Sequence, residues 1–174
     1  ASKDFKKLGE SKAALDSFYQ INRGEDETRY DFCVRNGWHQ YIDAMIAVDY
    51  LILNRDRHGA NIEVLRDGRK RSIRIAPLFD HGLSLMCTCY GDEEIEEFDI
   101  LADKPCQNFI GSRSTAENLK LIKNKTKVFQ SNLKLEHKEL LFKDLDKVLS
   151  DIHREKLWDM LWARWYEYEK LCNL

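Results

Sequence analysis

From Trp38 to about Leu53 the apolar residues Trp38, Tyr41, Ile42, Met45, Ile46, Leu51 and Ile52 recur at the three- and four-residue spacing of a helix. Their face is broad, which suits a helix buried at the centre of a domain. The period then changes to two. Ile62 and Val64 alternate with polar neighbours, Asp67-Gly68 supplies a turn, and Ile73 and Ile75 alternate again, predicting a β-hairpin over 62–77. Upstream, residues 10–20 predict a short helix with Ala14, Leu15, Phe18 and Tyr19 on one side, and residues 22–31 a polar loop. After Leu85 the pattern fades into a long irregular segment holding Gly91, the run Asp92-Glu93-Glu94-Ile95-Glu96-Glu97 and Lys104-Pro105. Such a segment is either a lid or docking surface beside a reaction centre, or a solvated connection. Two helices close the chain. One covers 136–150, with Leu141, Leu145, Val148 and Leu149 on one face; the other covers 153–171, with Leu157, Trp158, Leu161, Trp162, Trp165 and Tyr166. Helical spacing of those aromatics favours core packing over a base-stacking surface. The expected class is mainly α with a small hairpin (α+β), in a single domain over 1–174.

Composition narrows the choice of partners. At 174 residues the chain fills one domain, or the larger half of a two-lobed one. Lys plus Arg is 28 against 30 for Asp plus Glu, so the net charge of −2 draws nucleic acid weakly at most. The local basic patch of Lys120, Lys123, Lys125 and Lys127 reads first as a solvated face. No apolar run approaches the ~20 residues needed to cross a bilayer, and no signal peptide is visible at the start. Five cysteines without disulfide-framework spacing point to a reducing, cytoplasmic setting. Cys87, Cys89 and Cys106 lack the fourth ligand that a zinc site needs.

The chemistry is concentrated where the helical pattern ends. Asn54-Arg55-Asp56-Arg57-His58-Gly59-Ala60-Asn61 sits directly before the hairpin, and Phe79-Asp80-His81-Gly82 directly after it. An acid, an amide five residues later and a second acid beside glycine form a phosphoryl-transfer pattern. In it Asp56 orients or deprotonates the accepting hydroxyl, while Asn61 and Asp80 hold magnesium against the phosphates of ATP. A hairpin returning on itself brings Asn61 and Asp80 together at its open end, as a shared ion requires. Arg55 and Arg57 either touch phosphate or are solvated or salt-bridged.

These two stretches resemble the HipA-like serine/threonine kinases, in which N-x-D-x-H-x-x-N is followed by L-x-P-x-Y/F-D. Asn54, Asp56, His58 and Asn61 match the first pattern; Pro77, Phe79 and Asp80 match the second, with Ala76 one residue off the usual leucine. Asp-Arg-His-x-x-Asn is also similar to phosphatidylinositol kinase loops, but no amphipathic helix or polybasic anchor accompanies it. The resemblance implies a protein-kinase-like large lobe, with catalytic loop 54–61, hairpin 62–77, metal-binding segment 79–84 and C-terminal helices 136–171. It implies Asp56 as catalytic acid or base, His58 as a brace that helps place it, and Asn61 and Asp80 as ligands of magnesium and ATP. A protein substrate follows, in a bacterial, toxin–antitoxin-like setting. The kinase small lobe brings a Gly-rich loop and a strand lysine, neither of which is seen here, and 37 residues precede the Trp38 helix. The 174 residues therefore read as the large lobe alone, with little activity of their own and with a small lobe or antitoxin-like partner to complete them. The competing reading is a non-catalytic regulator that binds protein or DNA, associated with a mobile element or toxin–antitoxin system, DNA contact being indirect or weak.

Overall fold

The structure is a computed structural model and describes residues 5–122, 128–129 and 132–172. Chain order is β1 (Glu10–Ala14), α1 (Leu15–Asn22), α2 (Arg29–Arg35), α3 (His39–Leu51), β2 (Asp56–Arg57), β3 (Glu63–Asp67), β4 (Ser72–Ile75), α4 (Asp92–Glu96), β5 (Gln107–Asn108), α5 (Thr115–Asn118), α6 (His137–Leu141) and α7 (Asp151–Cys172). This is a mixed α/β arrangement of helices around two small sheets. Among the described residues no helix is long and apolar enough to cross a membrane.

The hairpin forms, with Val64 opposite Ile75 and Asp67 opposite Ser72. It is not isolated. β1 pairs antiparallel along the other edge of β3, Glu10 opposite Asp67 and Ala14 opposite Glu63, giving the order β1-β3-β4. The helix expected over 10–20 is therefore a strand followed by a helix. Glu-Ser-Lys-Ala-Ala favours helix locally, but pairing with β3 overrides so weak a preference. As the middle strand, β3 buries both Val64 and Leu65, so alternation gives way to a filled core strand.

The polar loop expected over 22–31 ends early, because α2 begins at Arg29. Thr28 caps it, its hydroxyl accepting the Asp31 backbone N–H at 3.1 Å. α2 then inserts Phe32 and Cys33, both fully buried, against Phe18, Tyr19 and Trp38. Burial holds the Cys33 thiol up at about 12. The broad-faced helix α3 runs through this cluster, burying Ile42, Met45, Ile46, Ala47 and Tyr50.

The segment after Leu85 is mostly exposed, but it is anchored at the buried residues Ile95 and Phe98. α4 packs on α7, and Ile95 and Phe98 join Leu53, Met86, Leu157 and Met160 in a second core cluster. Arg164 of α7, itself 1% exposed, donates to the carbonyls of Ile100, Ala102 and Tyr50 and so staples the segment to α3.

The helix expected over 136–150 breaks. α6 stops at Leu141, Asp144 takes φ 65°, and Leu140, Leu141 and Val148 are exposed. With no buried stripe, a run this short lacks the packing that stabilises helices. α7, in contrast, buries Leu157, Trp158, Trp165 and Tyr168, so these aromatics serve the core, while Trp162 and Tyr166 are exposed. Of the basic patch, Lys120 is exposed; Lys123, Lys125 and Lys127 lie outside the described residues.

Candidate active site

The loop singled out by its sequence, 54–61, is launched by the way α3 ends. Asn54 N–H bonds back to Asp49 O at 2.8 Å and Leu53 N–H to Tyr50 O at 3.2 Å, a Schellman closure with Leu53 at φ 50°. Glycine usually fills that left-handed position. Leucine there costs ~1–2 kcal/mol of backbone strain, and in return its side chain is fully buried in the second core cluster. Asp80 and Leu85 are likewise left-handed, at φ 53° and 58°. Three strained residues thus border one short strip of chain, the distribution expected around functional sites.

Backbone hydrogen bonds knit three segments of the strip together. Arg55 N–H donates to Leu83 O at 2.9 Å and Leu85 N–H to Ile52 O at 2.6 Å. On the other side β5 runs parallel to β2, Gln107 N–H reaching Arg55 O and Phe109 N–H reaching Arg57 O, each at 2.8 Å. Gly59 lets the loop press on α1: a Cβ there would stand 2.5 Å from Asp16 Cβ and 2.8 Å from Phe109 Cδ2.

Arg57 is the hub, its side chain 1% exposed. Its Nε and Nη2 fork onto the Asp49 carboxylate at 3.0 Å. Nη1 donates at once to Phe79 O at 2.8 Å and Asn61 O at 3.3 Å. Nη2 also meets His81 Nδ1 at 3.0 Å. A guanidinium has no acceptor, so His81 Nδ1 accepts and a neutral ring carries its proton on Nε2. Burial first, then Arg57, holds the His81 pKa below the usual imidazole value, against the opposing pull of Asp49 and Asp80. Of the two roles open to Arg57 in the sequence, the structure shows the salt bridge.

The residues singled out by sequence lie around this hub. Asn61 is buried, and its Nδ2 donates to Asp56 O at 2.9 Å. That bond commits the amide nitrogen and leaves Oδ1 without a partner among the described residues. Since Nη1 of Arg57 holds both the Asn61 and the Phe79 carbonyls, Asp80, one residue beyond Phe79, starts beside Asn61. Asp80 is exposed, with no hydrogen bond to its carboxylate among the described residues. The Asp56 carboxylate is 28% exposed and lies 3.5 Å from His58 Nε2. His58 Nδ1 accepts the Ala60 N–H at 3.2 Å, so its proton sits on Nε2, facing Asp56. His58 thus ties both to its own loop and to Asp56.

Two supports have structural roles that the sequence reading did not assign: Asp49, which it passed over, and Asn54, which it noted only as a motif match. Asp49 sits inside α3, where its spacing reads as one more helical position, yet it is the counter-ion of Arg57. Asn54 is fully buried, donating to Asp49 Oδ1 at 2.8 Å and accepting the Asp56 N–H at 3.3 Å, so it orients the loop from beneath. The only signal for Asp49 was an acid in the last turn of a mostly apolar helix, shortly before the loop. Two buried polar atoms in this strip, Arg55 Nε and Ser84 Oγ, have no hydrogen-bond partner among the described residues.

Among the described residues no group of three or more His, Cys, Asp or Glu side chains is placed to hold a metal ion. The free oxygens of Asn61 and Asp80 form a sparse donor set. That set fits magnesium, which keeps several waters and arrives with nucleotide phosphates, rather than an ion caged by protein alone.

No protein-family model matches the chain. No curated protein matches it either. The crystal structure of the Helicobacter pylori proinflammatory kinase CtkA is similar in fold, with a TM-score of 0.56 at 19% identity over 97% of this chain and 74% of that one. The fold is kinase-like.

Proposed function

We propose that the protein transfers the γ-phosphoryl group of ATP to a serine or threonine hydroxyl of a protein substrate, as a HipA-like kinase, these residues forming its catalytic-loop-bearing lobe. One observation carries the reading: Asn61 is locked to the backbone of Asp56 by its amide nitrogen, and Arg57 holds it beside the segment that leads into Asp80. The amide oxygen and the second carboxylate are thereby left to a cation, in a fold shared with a kinase.

Each side chain has a separate task. Asp56 receives or orients the proton of the attacking hydroxyl; its half-buried carboxylate has the His58 ring 3.5 Å away on one side and an open side for substrate. Asn61 and Asp80 would hold magnesium, which when bound neutralises charge on the phosphates. Arg55, directly before Asp56 and with no hydrogen-bond partner among the described residues for its buried Nε, lies on the same strip. The phosphate-covering loop and strand lysine of a small lobe are to come from elsewhere, and catalysis that is mainly positioning suffers badly without them.

The test is phosphorylation of a protein substrate by the full-length protein. Asp56→Ala and Asp80→Ala are each expected to lower the rate by at least ~100-fold, with the thermal unfolding midpoint held near wild type. The 174 residues alone should turn over ATP barely above background. Full activity in both variants would overturn the assignment.

A further inference from the structure

We infer that Arg57 is a positioning residue: with Asp49 behind it, it sets the spacing between the two magnesium-holding segments without touching substrate or cation. The inference rests on the proposed phosphoryl transfer and deepens it.

The argument starts from where its hydrogen bonds go. A buried guanidinium needs acceptors, and any set of carbonyls would serve stability alone. Those of Arg57 come from three separate places: the last turn of α3 through Asp49, the end of the catalytic loop through Asn61 O, and the segment before Asp80 through Phe79 O and His81. One nitrogen, Nη1, bridges the backbones that carry both proposed ligands. No described hydrogen bond other than this fork joins Asn61 to residues 79–81. Asp49 is what turns the fork toward them. Its carboxylate takes Nε and Nη2 on one edge, so Nη1 projects to the opposite side, where the two carbonyls lie. Asn54 donates a further hydrogen bond to Asp49 Oδ1 and so restrains the carboxylate from rotating away.

Lysine cannot substitute. Its single ammonium meets Asp49 or the two carbonyls, but has no rigid fork that reaches all three. Arg57→Lys therefore keeps a buried positive charge and loses the geometry.

The experiment measures Mn2+ binding, with a non-hydrolysable ATP analogue present, by electron paramagnetic resonance on the full-length protein, alongside thermal unfolding. Wild type should bind, and Arg57→Lys should bind about 10-fold more weakly or worse, as when a partner just outside a metal's ligands is removed. Asp49→Asn should weaken binding less, because the amide retains part of the fork. Arg164→Lys, at the other buried arginine, should lower the unfolding midpoint and leave Mn2+ affinity unchanged. Arg57→Lys binding Mn2+ as wild type does would overturn the positioning role and leave the kinase reading standing. Absence of Mn2+ binding by wild type itself would overturn both.

Discussion

Two arginines, Arg57 and Arg164, are each 1% exposed, and they solve the burial of a charge in opposite ways. Arg57 has a carboxylate of its own, Asp49, 6% exposed, as well as two carbonyls and a histidine nitrogen. Arg164 has carbonyls alone, those of Tyr50, Ile100 and Ala102, and its burial pulls its pKa below the ordinary arginine value. The first arrangement creates a mutual debt: remove either ion and the other is stranded. The second has neutral acceptors, one of which, Tyr50 O, also takes the Leu53 N–H. The paired arginine lies beneath the loop proposed to carry the chemistry, and the unpaired one where a long segment is held down.

The largest effect should therefore come from Arg57→Met. Asp49 would be left buried, bonded to Asn54 but with no cation, a loss on the order of 3–5 kcal/mol. Urea denaturation measures it, and adding Asp49→Leu to the variant should recover a substantial part by removing the stranded charge. A loss under about 1 kcal/mol would mean that water reaches Asp49 and that the pair is not truly dry.

Arg164→Met comes next. No charge is stranded, but the Ile100 and Ala102 carbonyls lose a donor, for a loss of about 1–3 kcal/mol. The distinguishing readout is where the damage falls. Hydrogen exchange should quicken over residues 91–103 and α7, while 54–61 keeps its protection. Equal loosening of both regions would erase the contrast between a positioning arginine and a stapling one.

That contrast also explains what could be read in the chain beforehand. α3, the hairpin and α7 were legible because each repeats an apolar spacing long enough to stand out. The acid–amide–acid set drew notice because its spacing is chemical, and the hairpin made the proximity of Asn61 and Asp80 a topological expectation; its catalytic role is a proposal. β1 was not legible, since Glu10–Ala14 is made of helix-favouring residues and becomes a strand only beside β3. α2 announced itself in Thr28 and Asp31, an N-terminal capping pair set three apart that was passed over within a polar run. The break after Leu141 was invisible because apolar periodicity shows what a helix offers, not whether a surface exists to receive it. Asp49 was the costliest omission. One of two acids in a mostly apolar helix carries no pattern, and its meaning resides wholly in Arg57, eight residues on, across a turn whose direction depends on a left-handed leucine.

A third arginine calibrates the other two at the low end. Arg74 of β4, with its side chain 37% exposed, pairs with Glu10 of β1 at 2.7 Å, clasping the outer strands across β3. Hydrogen bonding from Arg74, and then from Lys7 N–H, holds the Glu10 carboxyl down at about 2, against an ordinary 4.5. A depressed carboxyl pKa means that the folded state prefers the ionised form. The stabilisation is complete above pH 4.5 and is lost as pH falls through about 2. Glu10→Gln should therefore lower the unfolding midpoint slightly at neutral pH and flatten its acid-side decline between those limits. Salt should shrink the difference between wild type and variant, as it does for solvent-facing pairs. If the variant instead tracked wild type down the whole acid limb, the clasp would contribute nothing, and burial alone would separate arginines that matter to this fold from those that decorate it.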